Sequence, residues 1–304
     1  MRRALLVIAS FVTISVGPTT VAPALAAYPG SNGRIFFDTN RFGLPVTQIY
    51  SVRQDGETVR QLTHLRAGRV ASQPSVSADG RRVVFVVRRD GENDQLWLMR
   101  SDGTHAHPIT AEPSWAHDNP VFTPDGARIV FSRCGPYVPG YFTCRIFSIA
   151  TDGSDRRLIV GGLWHPIEVS ISPDGSTIAY ASDKGGYDSR LWLVGIDGSD
   201  PRVIVSGFKV VERPSWSPDG SSIAFGGLKH AIRVYRVDPD GTDLTVVATR
   251  GTFPSWSPDG GWIAFFSERD RRMDVVRPDG SDVHALMRRT DDPGAGDSDW
   301  GVAP

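Results

Sequence analysis

The chain has 304 residues, with 33 Lys and Arg against 34 Asp and Glu, and a formal net charge of −1 at pH 7. A chain so close to neutral lacks the concentrated basic face that a phosphate backbone requires, so we expect no nucleic-acid partner. The length suits one large all-β domain or two small ones.

The first 26 residues have the layout of a secretory signal peptide. Arg2 and Arg3 give a positive start, residues 4–16 form an apolar run, and small residues precede position 27. The run is well short of the ~20 residues that span a bilayer, and no later stretch approaches that length. We expect residues 1–26 to be removed on export, which leaves a periplasmic or secreted chain, residues 27–304, with no membrane span.

One seven-residue segment that ends in Asp-Gly recurs five times along the chain. Its aspartates are 40 to 49 residues apart: Asp79, Asp125, Asp174, Asp219 and Asp259. In most copies a proline sets φ for the second position of a turn, the aspartate caps the turn, and the glycine takes the positive φ that closes it. Short apolar runs follow each turn, and the second run ends in another Asp-Gly pair. Four short strands per 40–50 residues are typical of one blade of a β-propeller.

A sixth unit is divided between the two ends of the chain. Residues 32–37 match the turn and second strand of the repeat, but the strand before that turn is missing. Residues 298–301 (Ser-Asp-Trp-Gly) are similar to the Pro-Ser-Trp-Ser at 214–217. We therefore predict an all-β fold, a six-bladed β-propeller of four-stranded blades over residues 27–304, closed by a C-terminal strand that completes the first blade. Such closure leaves no exposed strand edge.

The Ser-Pro-Asp-Gly turns with a preceding tryptophan, as at Trp216 and Trp256, resemble the TolB-type, WD-repeat-like β-propeller repeat. The resemblance covers nearly all of residues 27–304; the first of the five copies has Ala78 in place of proline, and the divided unit is degenerate. It implies a propeller fold and, from TolB, a place in the bacterial cell envelope. TolB has a further N-terminal domain before its propeller, which we do not expect here because only a few residues separate the leader from the first blade.

Cys134 and Cys144 flank a loop of nine residues rich in Gly, Pro and Tyr. In an oxidising compartment such a pair more often forms a disulfide than stays free. A bond there would fasten the base of a long hairpin loop by restricting the unfolded chain. We predict a disulfide between Cys134 and Cys144.

Propellers bind partners at a mouth of the central channel, where the loops that enter the innermost strands converge, so function is argued from those loops. Alignment on the repeat places one residue per blade immediately before the innermost strand, and a second residue one step earlier. A ring of polar and charged groups there suits a peptide, a sugar or a cation; the alternative is a set of ordinary solvated loop residues. The candidate ligand-binding residues are Gln73, Asp118, Asn119, Glu168, Glu212, Arg213, Phe253 and Asp297.

Motifs for catalysis are absent from the sequence, which has no Gly-x-Ser-x-Gly, His-Glu-x-x-His, Walker loop or Cys-x-x-Cys. We predict no catalytic residue, no cofactor and no resident metal. His117 and His165 lie in loops that lead to the predicted mouth, beside Asp118 and Glu168. A histidine–carboxylate pair there would suit acid–base work or a divalent cation.

The sequence favours an exported, monomeric binding protein rather than an enzyme. We expect its channel mouth to recognise a cell-envelope or secreted protein or peptide. One alternative is a lyase-like enzyme that acts on polysaccharide through channel-mouth histidines and a divalent cation, since some propellers of similar repeat type are such lyases. Another is an interaction module that uses the side of a blade, which exposed apolar residues on an outer strand would favour.

Overall fold

In the computed structural model, which describes residues 30–39, 46–135, 143–162, 165–183, 188–286 and 298–303, the chain forms six four-stranded antiparallel sheets. All regular elements in these ranges are strands, and none of the described residues belongs to a helix that could cross a membrane. The predicted leader and Asp297 lie outside the described residues.

Each sheet is one blade, and the strands of a blade follow one another from the channel outward. From the innermost to the outermost strand, blade 1 consists of β24 (Ser298–Val302), β1 (Asn32–Thr39), β2 (Gln48–Arg53) and β3 (Arg60–Gln61), and blade 2 of β4 (Arg69–Val76), β5 (Arg82–Arg89), β6 (Gln95–Arg100) and β7 (His107–Pro108). Blade 3 consists of β8 (Ala116–Phe122), β9 (Arg128–Cys134), β10 (Cys144–Ala150) and β11 (Arg157–Val160), and blade 4 of β12 (His165–Ile171), β13 (Thr177–Asp183), β14 (Ser189–Gly195) and β15 (Arg202–Phe208). Blade 5 consists of β16 (Val210–Trp216), β17 (Ile223–Leu228), β18 (Ile232–Val237) and β19 (Thr245–Thr249), and blade 6 of β20 (Gly251–Trp256), β21 (Ile263–Ser267), β22 (Arg272–Val276) and β23 (His284–Ala285).

The C-terminal strand closes the ring by completing blade 1. β24 pairs antiparallel with β1, with Trp300 opposite Ile35 and Asp299 opposite Phe36. β24 also contacts the innermost strands of blades 2 and 6, β4 and β20, so all six innermost strands surround one channel. The six-bladed propeller with C-terminal closure is therefore confirmed.

The repeated Asp-Gly turns have the geometry that their residues predict. In the turn after β16, the Gly220 N–H donates to the Ser217 carbonyl (2.9 Å), and φ of Gly220 is 72°. Asp219 Oδ1 accepts from Ser217 Oγ (2.6 Å) and from the Ser221 N–H (3.0 Å). The corresponding aspartates of the other repeats make the same local bonds. Each of these carboxylates thus stabilises a turn.

Apolar side chains of neighbouring blades form the core. In the cluster between blades 4 and 5, Trp216, Phe225 and Tyr235 pack against Leu191 and Leu193 of the preceding blade. Burial of each large side chain contributes roughly 1.5–3 kcal/mol. The repeated tryptophans Trp216, Trp256 and Trp300 are all buried, so they belong to this core.

Cys134 and Cys144 are bonded in a disulfide, as predicted. The two residues lie directly opposite each other on β9 and β10, with a Cα–Cα distance of 4.0 Å. The bond therefore joins the two strands at the end of the hairpin in blade 3.

Candidate functional site

The innermost strands enclose a central cavity of about 120 Å³. Residues from all six blades line it, and among them are four of the candidate residues: Gln73, Asn119, Arg213 and Phe253. Asp299 of β24 also lines the cavity. Four of the eight candidate residues therefore lie at the channel.

One residue per blade has an unusual backbone at the channel mouth. The angle φ is 54° at Gln73, 53° at Asn119, 56° at Glu168, 48° at Arg213 and 54° at Phe253. The register between the innermost and second strands shifts at each of these positions, which marks a β-bulge. Left-handed backbone is unfavourable for residues with a Cβ, and bulges re-aim side chains beside functional sites. Five blades thus share one strained backbone position at the channel mouth.

Hydrogen bonds between blades hold this left-handed backbone in place. Asp38 Oδ2 accepts from the Gln73 N–H at 2.8 Å, and Gln73 Oε1 accepts from the Asn119 N–H at 2.7 Å. In the same way, Glu168 Oε2 accepts from the Arg213 N–H at 3.0 Å. Gln73 and Glu168 are therefore clamps between blades and not freely solvated loop residues. The sequence did not indicate Asp38 as a site residue, because Asp38 lies on the second strand of its blade and the repeat alignment considered only positions before the innermost strand.

Charged side chains continue around the mouth from blade 4 to blade 6. Glu168 Oε1 lies 3.7 Å from Arg213 Nε, and the Arg213 guanidinium lies 5.8 Å from the centre of the Phe253 ring. Glu212 accepts a hydrogen bond from the Thr252 hydroxyl of the next blade. These contacts leave the Glu168 and Arg213 side chains about one-fifth exposed (17% and 21%), which fixes their orientation while keeping an accessible edge.

A pair of carboxyl groups lies at the junction of blades 2 and 3. Asp118 hydrogen-bonds to Asp94, and burial together with the Asp94 charge raises the pKa of Asp118 to about 7. Burial also raises the pKa of Asp94. Two negative charges in contact repel each other, so the second carboxyl group of such a pair ionises at a higher pH than the first. Between these two steps the pair shares one proton. Asp94 carries no sequence signal for this role, because it lies in the β5–β6 loop of another blade.

His117, which the lyase-like alternative would place at the mouth, lies in the core. His117 is fully buried, packs edge-on against Phe131 with 5.3 Å between ring centres, and has Nδ1 at 3.0 Å from Thr110 Oγ1. Burial lowers the pKa of His117 to about 4, so the ring is neutral at physiological pH. Successive strand residues point to opposite faces, which separates His117 from Asp118. The His117–Asp118 pair that the lyase-like alternative would use at the mouth is therefore not formed; His117 Nε2 lies 3.7 Å from Glu112 Oε2 instead.

Two other predicted positions lie where side chains are not described. The backbone of His165 belongs to β12, but its side chain, like Asp297, lies outside the described part. Among the side chains that are described, no group of three or more His, Cys, Asp or Glu is arranged to hold a metal ion.

Exposed large apolar side chains occur on several blades, and two of them, Leu244 and Val246, lie two residues apart in blade 5. Leu158, Val203 and Val246 lie one each on the outermost strands of blades 3, 4 and 5. Each is paired with an aromatic residue of the neighbouring strand. Scattered apolar residues are ordinary on a soluble protein, so they indicate no particular docking surface.

Comparisons with known proteins agree with this geometry. A TolB homologue of Chlorobium luteolum is 27% identical over 161 residues, which is 52% of this chain and 33% of that protein. The crystal structure of TolB from Acinetobacter baumannii superposes with a TM-score of 0.74 at 17% identity, over 89% of this chain and 67% of that chain. This chain is a TolB-like β-propeller. The match spans about a third of the length of the curated relative, and no family model matches the chain.

Other solved structures share the fold at similarly low identity. A chain of a nidogen/laminin complex superposes on the TolB-like propeller with a TM-score of 0.70 at 11% identity, over 88% of this chain and 97% of that one. An oligogalacturonate lyase in complex with manganese has a TM-score of 0.59 at 19% identity, over 87% and 77%. At these identities the likeness concerns the fold alone, so the site has to be judged by its own residues.

Proposed function

We propose that this TolB-like propeller is an exported binding protein, without catalytic activity, whose channel mouth recognises a segment of a cell-envelope or secreted protein. The observation that carries the proposal is the row of left-handed residues, one from each of five blades, of which four line a single cavity. A site whose backbone is clamped between blades loses little conformational freedom on binding. The similarity to TolB and to a chain of a nidogen/laminin complex supports a protein partner over a small metabolite.

Export is supported by two features of the chain. The leader-like residues 1–26 have the charge and apolar pattern of a signal peptide. The Cys134–Cys144 disulfide suits an oxidising compartment. Cell fractionation and N-terminal sequencing of the mature protein test this: a periplasmic or secreted chain that starts near Ala27 is expected, and an intact cytoplasmic chain would reject it.

Affinity capture tests the binding function. The mature chain is used as bait for envelope and secreted fractions of its host, beside a mouth variant that combines Arg213→Gln and Phe253→Asn. Asparagine tolerates the left-handed backbone at position 253, so this variant changes side chains more than fold. Arg100→Gln is the matched control, since Arg100 is exposed at the far end of β6.

The expected result is a protein retained by the wild type and by Arg100→Gln and lost from the mouth variant. Retention that is equal in all three would remove the mouth as the binding site. Circular dichroism melting curves of the three proteins establish that each is folded before capture.

The lyase-like alternative retains one supporting observation. Burial and the charge of Asp94 raise the pKa of Asp118 to about 7, which is the range that a general acid–base group needs. An assay with oligogalacturonate and Mn²⁺, followed by absorbance of the unsaturated product, tests it. Turnover by the wild type that is lost in Asp118→Asn would favour the enzyme, and its absence leaves the binding function as the better account.

A further inference from the structure

A second cavity, the side cavity, lies at the junction of blades 3 and 4, away from the channel. Its volume is about 200 Å³, and it shares no described lining residue with the central cavity. Apolar side chains form most of its wall: Ile159 and Val160 of blade 3, and Pro166, Trp192 and Val194 of blade 4. None of the described residues that line it is charged. An engineered cavity of about 150 Å³ with apolar walls binds benzene, so the side cavity has room for a substituted six-membered ring.

Two hydroxyl groups of β13 face the side cavity. Tyr180 and Ser182 both line it, and they lie two residues apart on one strand, so their side chains point to the same face. Tyr180 is 5% exposed and Ser182 is 3% exposed. Within the described part of the chain, neither hydroxyl has a hydrogen-bond partner. Burial alone raises the pKa of Tyr180 to about 12. Buried hydroxyls without a partner are unfavourable, so a ligand that bonds to them would be stabilised.

The packing of the blade does not require a tyrosine at position 180. Tyr180 stacks on Trp192 of the neighbouring strand, with 6.1 Å between ring centres and 13° between ring planes. The equivalent residue of each of the other five blades is a buried phenylalanine: Phe37, Phe85, Phe131, Phe225 and Phe265. Blade 4 therefore keeps the aromatic core position of the repeat and adds a hydroxyl that the core does not use. This contrast within one ring points to a ligand rather than to the fold.

We propose that the side cavity binds a free small molecule, an uncharged ring compound that carries one hydroxyl or carbonyl oxygen. The ring lies among Ile159, Pro166 and Trp192, and its oxygen bonds to the hydroxyls of Tyr180 and Ser182. A hydroxyl both donates and accepts, so these two groups suit either kind of oxygen. An ionised ligand would be buried among uncharged described residues, which is unfavourable. Apolar walls with a few placed polar groups are typical of small-molecule sites.

The side cavity is independent of the function proposed for the channel mouth. Its walls belong to the outermost strand of blade 3 and to the flank of blade 4, and the residues of the mouth cavity come from the innermost strands. Loss of one site would therefore leave the other in place.

Isothermal titration calorimetry with p-cresol tests the proposal, since p-cresol is an uncharged ring with one hydroxyl. Toluene has the same ring and methyl group without the oxygen, and 4-methylbenzoate carries a negative charge. N-acetyltyrosine amide carries the same phenol ring on a peptide backbone. These three probes separate the contributions of the oxygen, of charge and of an attached chain.

Tyr180→Phe and Ser182→Ala each remove one hydroxyl from the side cavity, and the first introduces the residue type that the other blades have. The matched control is Tyr235→Phe, which removes the hydroxyl of a buried tyrosine in blade 5 that does not line the side cavity. Urea unfolding of each protein without ligand establishes its stability before titration.

The wild type and Tyr235→Phe are expected to bind p-cresol equally, and more tightly than toluene. Affinity for p-cresol should fall about fivefold in Tyr180→Phe and further in the double variant with Ser182→Ala, whereas toluene should bind all of these proteins equally. Tyr180→Phe without ligand should be at least as stable as the wild type, because it removes a buried hydroxyl that has no partner.

Absence of p-cresol binding up to its solubility limit, or equal affinities of the wild type for p-cresol and toluene, would overturn the proposal. A Tyr180→Phe protein that is less stable than the wild type would also overturn it, because the hydroxyl would then have a partner within the protein. Equal weakening in Tyr235→Phe would reject the side cavity as the site. Tighter binding of 4-methylbenzoate would reject an uncharged ligand, and tighter binding of N-acetyltyrosine amide would assign the ring to a partner chain instead of a free molecule.

Discussion

The backbone N–H of Arg213 donates to Glu168 Oε2 at 3.0 Å, across the junction of blades 4 and 5. Both residues lie at the strained position that five blades share, and φ is positive at each. The carboxylate that the sequence offers as a binding group is thus also the group that holds its neighbour's backbone. Binding and stability are therefore coupled at this end of the channel.

Replacement of Glu168 by alanine should destabilise the protein. The variant leaves the Arg213 N–H without its acceptor and the Arg213 guanidinium without its nearby carboxylate, so we expect a loss of about 1–3 kcal/mol. Glu168→Gln keeps an acceptor and should lie much closer to wild type. Urea unfolding followed by tryptophan fluorescence measures both, and equal stabilities of alanine and glutamine variants would contradict the clamp.

Burial of neutral His117 should make the protein sensitive to acid. The folded-state pKa of about 4 lies below the ordinary value of 6.5, so the unfolded chain takes up the proton first. The stability due to the neutral ring is full above pH 6.5 and is lost as pH falls toward 4, by up to about 3 kcal/mol. His117→Gln should be less stable at pH 7 but should lose less stability between pH 7 and 4.5. Unfolding curves across this range give the comparison.

Asp118 should have the opposite pH dependence. Its folded-state pKa of about 7 lies above the ordinary value of 3.8, so the folded chain holds a proton that the unfolded chain has released. The stability contributed by this proton is present at low pH and is lost as pH rises through 7. Asp118→Asn should therefore gain stability relative to wild type at pH 8, on the order of 1 kcal/mol. Carbon-13 NMR of the carboxyl groups would locate the titration directly, and midpoints near 4 for both Asp94 and Asp118 would refute the shared proton.

Closure by the C-terminal strand should make Trp300 a key residue for stability. Trp300 is 4% exposed and packs with Ile35 and Phe37 of β1 and with Met273 of blade 6. Trp300→Ala leaves a cavity between the first and last blades, so we expect a loss of about 3–5 kcal/mol. Removal of residues 303–304, which lie beyond β24, should have little effect on the melting temperature. Similar losses from both changes would argue against a special role for the buried ring.

Much of this molecule was predictable from sequence because the repeat is a local signal. The number of blades followed from the turn residues at Asp219 and its equivalents and from the short apolar strands between them. The unit divided between the two ends of the chain predicted the C-terminal closure. The same alignment identified Gln73, Asn119, Arg213 and Phe253 as residues of the channel, since equivalent positions of a closed ring lie at equal depth.

Only the tertiary structure decided what those residues contact. The bond from the Gln73 N–H to Asp38 joins residues 35 apart, and the bond from the Asn119 N–H to Gln73 joins residues 46 apart. The Asp94–Asp118 pair likewise joins two blades, and the burial of His117 depends on which face of β8 packs inward. The repeat specifies the strands within a blade, whereas the packing of one blade on the next determines which side chains clamp the ring, share a proton or remain open to a ligand.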